Sequence, residues 1–137
     1  MQTFIPFPSF TASARALDNR RLGKQRVECL QILKALHDPG YGWQNHPAVK
    51  MWKGCEGSLV LYAQIICMEW RKRGYKDTCL DKVSQFSGPV GSLSWVTADL
   101  CLSHQSNLKR KDPAHYGPLF PDVPDDLPYV WPTNSQP

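Results

Sequence analysis

The sequence predicts an all-α protein that folds as a single compact helical domain over residues 1–137. Three observations support this. Apolar residues recur at helical spacing in three long segments, strand-like alternation is nearly absent, and no repeat or linker divides the chain. With 137 residues, of which 42% are hydrophobic and 20% charged, the chain is long enough to bury one core. We expect three long helices, several short ones, and irregular proline-rich ends at 1–8 and 121–137.

Helix start and stop signals divide the first half of the chain. A capping side chain or a proline begins three of the predicted helices, and a glycine or proline follows each of the two long ones. Prolines at positions 6 and 8 keep the first eight residues extended. The helices predicted here are a short one from Ser9 to about Leu17, a long one from Asp18 to the Asp-Pro-Gly sequence at 38–40, a brief one from Pro47 to Trp52, and a long one from about Glu56 to Lys72 that Gly74 closes.

The second half predicts one more long helix and an irregular end. The predicted elements are a helix from Asp77 to about Phe86, a long helix from Thr97 to Arg110, and a short turn from Pro113 that contains His115 and Tyr116. The tail from residue 121 is rich in Pro and Asp, with Tyr129 and Trp131 as its apolar anchors. Four tryptophans have apolar neighbours and are predicted to lie in the core: Trp43, Trp52, Trp70 and Trp95.

Composition limits the partners and cofactors. The formal net charge is +4, which permits an anionic partner without proving one. No apolar run is long enough to span a membrane, and the first residues lack the features of a signal peptide, so we expect a cytoplasmic protein with no membrane partner. The five cysteines and four histidines include no close-spaced set, which predicts buried thiols, no metal site and no cofactor.

The long helix after Asp18 carries the clearest chemical pattern in the chain. At about 100° per residue, its apolar residues gather on one side: Leu22, Cys29, Leu30, Leu33 and Leu36. Its polar residues gather on the other: Arg20, Arg21, Lys24, Gln25, Glu28 and Gln31. Glu28 is thus a single carboxylate on a cationic face. Either it forms a weak solvated pair with Lys24, which the spacing alone favours, or the cations hold a polyanion on which Glu28 does acid–base or charge-stabilising work.

Two further basic groups and one histidine have more than one interpretation. The basic segment 109–111 is followed by His115 and Tyr116, and basic residues among aromatic ones suit phosphate contacts and base stacking. A second basic segment, 71–73, ends a long helix. Both segments equally suit simple neutralisation of a helix C-terminus. His46 lies in a loop and either contacts a ligand or makes a structural hydrogen bond, which is the commoner role.

Three segments are distinctive when their order and spacing are taken together. They are Leu17-Asp18-Asn19-Arg20-Arg21-Leu22 with Glu28, Arg71-Lys72-Arg73-Gly74-Tyr75-Lys76-Asp77-Thr78, and Ser103-His104-Gln105-Ser106-Asn107-Leu108-Lys109-Arg110-Lys111 with Tyr116. In these segments the chain resembles the pyrimidine-dimer DNA glycosylase (endonuclease V) family of phage and bacteria. The resemblance extends from about residue 17 to residue 116.

The resemblance implies an all-helical domain that binds duplex DNA, extrudes a base and cleaves the N-glycosidic bond, with an AP-lyase activity attached. We expect a monomer. Glu28 falls at the position of the family's catalytic glutamate, and Lys111 falls at a phosphate-contacting position. The residues expected to contact DNA are Arg20, Arg21, Lys24, Arg26, Lys109, Lys111, Tyr116 and His46.

Three positions depart from the family pattern. The resemblance implies that the nucleophile is the α-amine of a small residue exposed by removal of the initial Met, but Gln2 is bulky and we expect Met1 to stay. Either the Met1 amine is the nucleophile or the lyase step is lost. Val27 and Asn107 each stand where the family has an Arg; Arg21, Lys24 and Arg26 are candidates to replace the first.

These departures leave two alternatives to a DNA glycosylase. One is a non-catalytic nucleic-acid-binding module on the same scaffold. The other is a glycosidase-like enzyme that acts on a free nucleotide, whose binding would depend little on DNA length.

Overall fold

A computed structural model describes residues 1–132, and within this range the chain forms seven helices and no strand. The all-α prediction is confirmed. The helices are α1 (Phe10–Ala16), α2 (Asn19–His37), α3 (Pro47–Lys50), α4 (Glu56–Lys72), α5 (Leu80–Val83), α6 (Ala98–Lys111) and α7 (Pro113–Tyr116). Three of them are long, namely α2, α4 and α6, as the hydrophobic periodicity predicts. No described helix is both long enough and apolar enough to cross a bilayer.

Side-chain caps fix where three of the helices begin. Ser9, Asp18 and Thr97 each accept a hydrogen bond from a backbone N–H in the first turn of the helix that follows, so the three predicted caps are confirmed. Gly74 follows α4 with φ +95°, a left-handed conformation that glycine adopts without a steric penalty. The local sequence therefore sets these boundaries.

The core lies mainly between α2 and α4, which pack along each other, with α1 against α4. Leu22 and Leu33 of α2 and Leu59 and Ile66 of α4 are fully buried, as is Trp52 after α3. Each fully buried side chain of this kind contributes about 1.5–3 kcal/mol. The five cysteines are buried free thiols, as predicted.

The helix predicted from Asp77 to Phe86 is much shorter than expected, because only Leu80–Val83 is helical. Asp77 still accepts hydrogen bonds from the backbone N–H groups of Cys79 and Leu80, at 3.2 and 2.8 Å. Its carboxylate also binds a guanidinium from α2. This tertiary contact fixes the segment between α4 and α5 without a longer helix.

Side chains of α6 hold the described part of the tail. The backbone N–H of Leu127 donates to Ser106, that of Val130 donates to Ser103, and the Asn107 amide donates to the Leu127 carbonyl. The predicted anchors of the tail, Tyr129 and Trp131, pack partly buried against the core. The remainder of the predicted irregular tail, residues 133–137, lies outside the described residues.

Candidate active site

The polar side of α2 forms one wall of a cavity of about 380 Å³, here called the Glu28 cavity. The N-terminal segment forms a second wall, and the end of α6 with the tail forms a third. The lining residues are Met1, Gln2 and Phe4; Arg20, Arg21, Lys24, Gln25 and Glu28; and Lys111, Tyr129 and Trp131. Residues from both ends of the described chain therefore meet around one carboxylate.

Glu28 is the acidic residue of this cavity, and its side chain is 14% exposed. Its Oε2 accepts a hydrogen bond from the backbone N–H of Gln2 at 2.7 Å, and the α-amino group of Met1 lies 3.8 Å from the same oxygen. The Lys24 ammonium lies 3.9 Å from Oε1. A carboxylate and a terminal amine thus stand side by side, which gives the cavity a candidate base and a candidate nucleophile.

The N-terminal segment is extended but pairs with no strand, so side chains satisfy its backbone. The Gln25 amide donates to the Gln2 carbonyl at 2.6 Å and accepts from the Phe4 N–H at 3.0 Å. The Tyr62 hydroxyl donates to the Phe4 carbonyl at 2.6 Å, and the backbone N–H of Ile5 donates to Nδ1 of His104 at 2.8 Å. These bonds fix the first residues of the chain against Glu28.

Gln25 and His104 are functional neighbours that the sequence did not identify. The helical periodicity predicts Gln25 on the polar side of α2, but Gln25 is only 2% exposed. Buried polar side chains need hydrogen-bond partners. Here the partners are backbone groups of residues 2–5. No local signal in the sequence pairs residues 2–5 with either side chain, because the contact is long-range.

Burial keeps the His104 imidazole neutral over a wider pH range than an exposed histidine. The residue has no exposed surface, and burial lowers the pKa of its imidazole from 6.5 to about 4. The ring is therefore neutral at pH 7. Because Nδ1 accepts the Ile5 N–H, the ring proton sits on Nε2.

Four of the predicted DNA-contacting cations line the Glu28 cavity: Arg20, Arg21, Lys24 and Lys111. Arg21 is paired with Asp18 at 3.3 Å, and the Lys24 side chain is 74% exposed. Neither Arg20 nor Lys111 forms an ion pair within residues 1–132. Two of the four cations therefore line the cavity without a carboxylate partner within residues 1–132.

Arg26 and Lys109 are not brought to the rim that these four cations form, although the sequence assigned both to phosphate binding. The Arg26 guanidinium lies 2.6 Å from the fully buried Asp77 carboxylate and 4.6 Å from the ring centre of Trp70. The Lys109 ammonium donates to three backbone carbonyls in the segment 120–123. Both side chains are therefore engaged by the protein itself, away from the lining of the Glu28 cavity, and their predicted phosphate contacts stay predictions.

Tyr116, another residue assigned to DNA, has no exposed surface. Its hydroxyl donates to the Asp18 carboxylate and accepts from the Asp18 N–H. Burial alone would raise the pKa of Asp18, but the hydrogen bonds from Tyr116 and the nearby Arg21 outweigh it and lower the pKa. Tyr116 therefore holds the start of α2 from within the core, and its predicted DNA contact stays a prediction.

His46 combines a structural hydrogen bond with a position near the Glu28 cavity. Its Nδ1 accepts the backbone N–H of Ala48 at 3.0 Å, which caps α3. Its ring lies edge-on to Trp131, a cavity-lining residue, with centroids 6.4 Å apart. Burial and, to a smaller degree, the terminal amine lower the pKa of His46, which favours the neutral imidazole. Both interpretations of His46 thus have structural support.

The departures from the family pattern also have structural consequences. Val27 is 44% exposed and lies outside the cavity lining, whereas Arg21 and Lys24 belong to it. Asn107 is fully buried and holds the tail, so it has no direct access to DNA. Among residues 1–132, no group of three His, Cys, Asp or Glu side chains is placed to bind a metal ion.

The fold and cavity define a small helical protein with a cationic cleft and one carboxylate beside an amine, an arrangement suited to an enzyme acting on a polyanion. Residues 1–83 match the family model described as pyrimidine dimer DNA glycosylase. The chain belongs to this family, and the predicted resemblance is confirmed; DNA is accordingly the substrate class. No curated protein and no solved structure matched the chain.

Proposed function

We propose that this protein is a DNA N-glycosylase that removes a damaged pyrimidine, such as one partner of a pyrimidine dimer, from duplex DNA. The observation that carries the proposal is the position of Glu28, beside the terminal amine and among four cations of the cavity lining. Two of these cations, Arg20 and Lys111, form no ion pair within residues 1–132. A cavity of about 380 Å³ falls within the range of ligand sites and suits an extruded nucleotide.

The proposed chemistry uses two groups. The α-amino group of Met1, in its unprotonated form, attacks C1′ of the deoxyribose and forms a C–N bond while the C1′–N bond to the base breaks. The base leaves with the bonding electron pair and takes up a proton. Glu28, 3.8 Å from the amine, accepts a proton from the attacking nitrogen and stabilises positive charge on the sugar.

AP-lyase activity follows from the same two groups. Protonated Glu28 returns its proton to O4′ as the C1′–O4′ bond of the sugar ring breaks, and the C1′ adduct becomes a Schiff base between the amine and C1′. Loss of a proton from C2′ to Glu28 then expels the 3′ phosphate with its bonding electrons. This step requires the α-amine to be free, so it depends on the true first residue of the mature protein.

Glu28→Gln tests the carboxylate, because it retains the shape but removes the base. Wild-type protein should produce abasic sites in ultraviolet-irradiated duplex DNA, and Glu28→Gln should lower the single-turnover rate by about 10²–10⁴-fold. DNA affinity should change little. No cleavage by the wild type on damaged duplexes of any kind would contradict the proposal.

Borohydride trapping tests the amine separately. A reduced covalent adduct with abasic DNA, mapped by intact mass and peptide mass to the first residue, is the expected result. The same measurement reports whether Met1 is retained. Excision without a trapped adduct would leave a glycosylase that lacks lyase chemistry.

A second candidate function is a non-catalytic DNA-binding module. The favouring observation is that Glu28 already accepts the Gln2 N–H, so the carboxylate has a structural use. This function predicts salt-dependent DNA binding with no turnover by the wild type and no effect of Glu28→Gln on affinity.

A further inference from the structure

The loop before α3 contains a tryptophan, Trp43, that lies outside the core. Of the five tryptophans, all within the described residues, Trp43 is 56% exposed, whereas Trp52 is fully buried and Trp95 is 8% exposed. The prediction that Trp43 belongs to the core is therefore wrong. Exposing a large aromatic ring gives up the stabilisation that its burial would provide, so the fold itself does not explain this side chain.

The backbone at Trp43 is also strained. Its φ is +72°, and within residues 1–132 it is the single non-glycine residue with a positive φ. A bulky side chain is disfavoured there, whereas glycine adopts this conformation freely. Strain of this kind persists where the surrounding structure enforces it, and it concentrates at functional positions.

Hydrogen bonds hold the loop in this conformation. The Gln44 amide donates to the carbonyls of Ala35, Asp38 and Tyr41 at 2.7, 2.9 and 3.0 Å. The backbone N–H of His46 donates to the Trp43 carbonyl at 3.0 Å. The indole is thus presented from a fixed loop before any partner arrives.

Ring contacts connect Trp43 to the Glu28 cavity. Its ring lies edge-on to His46, with centroids 5.9 Å apart, and His46 in turn lies edge-on to Trp131 in the cavity wall. The exposed indole therefore lies outside the cavity, two ring contacts from Trp131 in its lining. The cations of the rim lie on the α2 side of the same cavity.

We propose that Trp43 stacks on the bases exposed beside the nucleotide that enters the Glu28 cavity, and so supports the opened duplex. This inference rests on the proposed function, since it requires an extruded nucleotide. Extrusion leaves neighbouring bases without a stacking partner, and an exposed aromatic face replaces that partner irrespective of base identity. A rigid, preformed loop lowers the entropy cost of making the contact.

Three variants test the proposal. Trp43→Gly removes the ring and relieves the strained φ, Trp43→Phe keeps an aromatic ring, and Met68→Ala is the matched control. Met68 is 60% exposed, and it lines a separate groove with Thr11 and Ile65. Affinity is measured for an intact duplex and for the same duplex with a stable abasic-site analogue.

We expect Trp43→Gly to lose about tenfold in affinity for the analogue duplex, with less than a twofold change for the intact duplex. Trp43→Phe should keep most of the preference for the analogue duplex over the intact duplex, and Met68→Ala should keep all of it. The melting temperature of Trp43→Gly should equal or exceed that of the wild type, because glycine accepts the loop conformation. A binding defect in a variant of undiminished stability cannot arise from unfolding.

Indole fluorescence provides an independent readout. Adding the analogue duplex should quench the indole fluorescence of the wild type more than that of Trp43→Phe. The difference in quenching reports on Trp43. A wild type that excises damaged bases, with Trp43→Gly showing the same preference, overturns this inference alone. A wild type that neither excises nor prefers the analogue overturns the proposed function together with it.

Discussion

Two groups of cations that look alike in the sequence have opposite roles in the structure. One group lines the Glu28 cavity: Arg20, Arg21, Lys24 and Lys111. The other group binds protein atoms: Arg26, Arg73, Lys109 and Arg110. Lys24 and Arg26 are two residues apart on α2, yet one side chain is 74% exposed and the other 14%. What separates the groups is whether the charged end of the side chain faces the cavity or is held by protein atoms away from it.

The pair between Arg26 and Asp77 should have the largest effect on stability. Asp77 is fully buried, and hydrogen bonds from Arg26 and two backbone N–H groups lower the pKa of its carboxyl despite burial, which alone would raise it. Arg26→Met leaves that carboxylate with only the longer contact to Arg71, at 3.7 Å, and its two backbone N–H donors. The free energy of unfolding should therefore fall by about 3 kcal/mol. Urea unfolding of wild type and Arg26→Met at pH 7 measures this difference in the free energy of unfolding.

Lys24→Met is the matched control, because the Lys24 side chain is 74% exposed in its ion pair with Glu28. Its free energy of unfolding should change by less than about 1 kcal/mol. Equal losses for Arg26→Met and Lys24→Met would remove the distinction between the two groups.

Acid should weaken the N-terminal wall of the cavity while the cations of the rim keep their charge. The pKa of His104 is about 4 in the folded protein and 6.5 ordinarily. Stability from a neutral buried imidazole is fully present above pH 6.5 and is lost as the pH falls towards 4, by about 3 kcal/mol. His104→Asn should flatten the stability profile between pH 7 and pH 4. Denaturant unfolding between pH 7 and pH 4 measures the free energy of unfolding of both proteins. Parallel pH profiles for wild type and His104→Asn would contradict the prediction.

Lys109 and Lys111 allow the same comparison within α6. Lys109→Met removes a charged donor to three carbonyls of the segment 120–123, and the free energy of unfolding should fall by about 2 kcal/mol. Lys111→Met should leave stability unchanged and weaken DNA binding. Thermal unfolding and a binding titration on both variants measure this. A stable Lys109→Met variant with weakened binding would reverse the two roles.

The smallest individual effects should come from the cavity cations acting on phosphates. Arg20→Gln, Lys24→Gln and Lys111→Gln should each weaken binding to any duplex and lower the slope of log affinity against log salt by about 1. Arg26→Gln should leave that slope unchanged because its charge is neutralised internally. Fluorescence anisotropy over a range of salt concentrations measures the slope. A uniform decrease for all four variants would indicate that overall charge, rather than position, governs binding.

Local signals explain how much of the fold could be predicted. Ser9, Asp18 and Thr97 act on N–H groups within four residues, so the sequence alone locates the starts of α1, α2 and α6. The prediction of a helix from Asp77 to Phe86 was wrong in its length because a long-range contact acts on this segment. Its cap was present, but the contact with Arg26 is made across 51 positions of the chain.

The candidate site divides in the same way. Glu28 and the cations of α2 form a pattern on one helix, and a pattern on one helix is visible in the sequence. The second and third walls come from residues 1–4 and from the end of α6 with the tail, which no periodicity connects to α2. Tyr116 was assigned to DNA because an aromatic residue near lysines resembles a stacking site, and only packing shows it buried.

By itself the sequence determined the helical class, the capped starts of three helices and the carboxylate on a cationic face, because each depends on residues less than about two turns apart. The tertiary structure alone decided which cations remain available, that Gln25 and His104 hold the N-terminal segment, and that Trp43 is exposed. These outcomes depend on which distant groups meet, and the free energy of a charge or a ring is set by the partner it finds after folding.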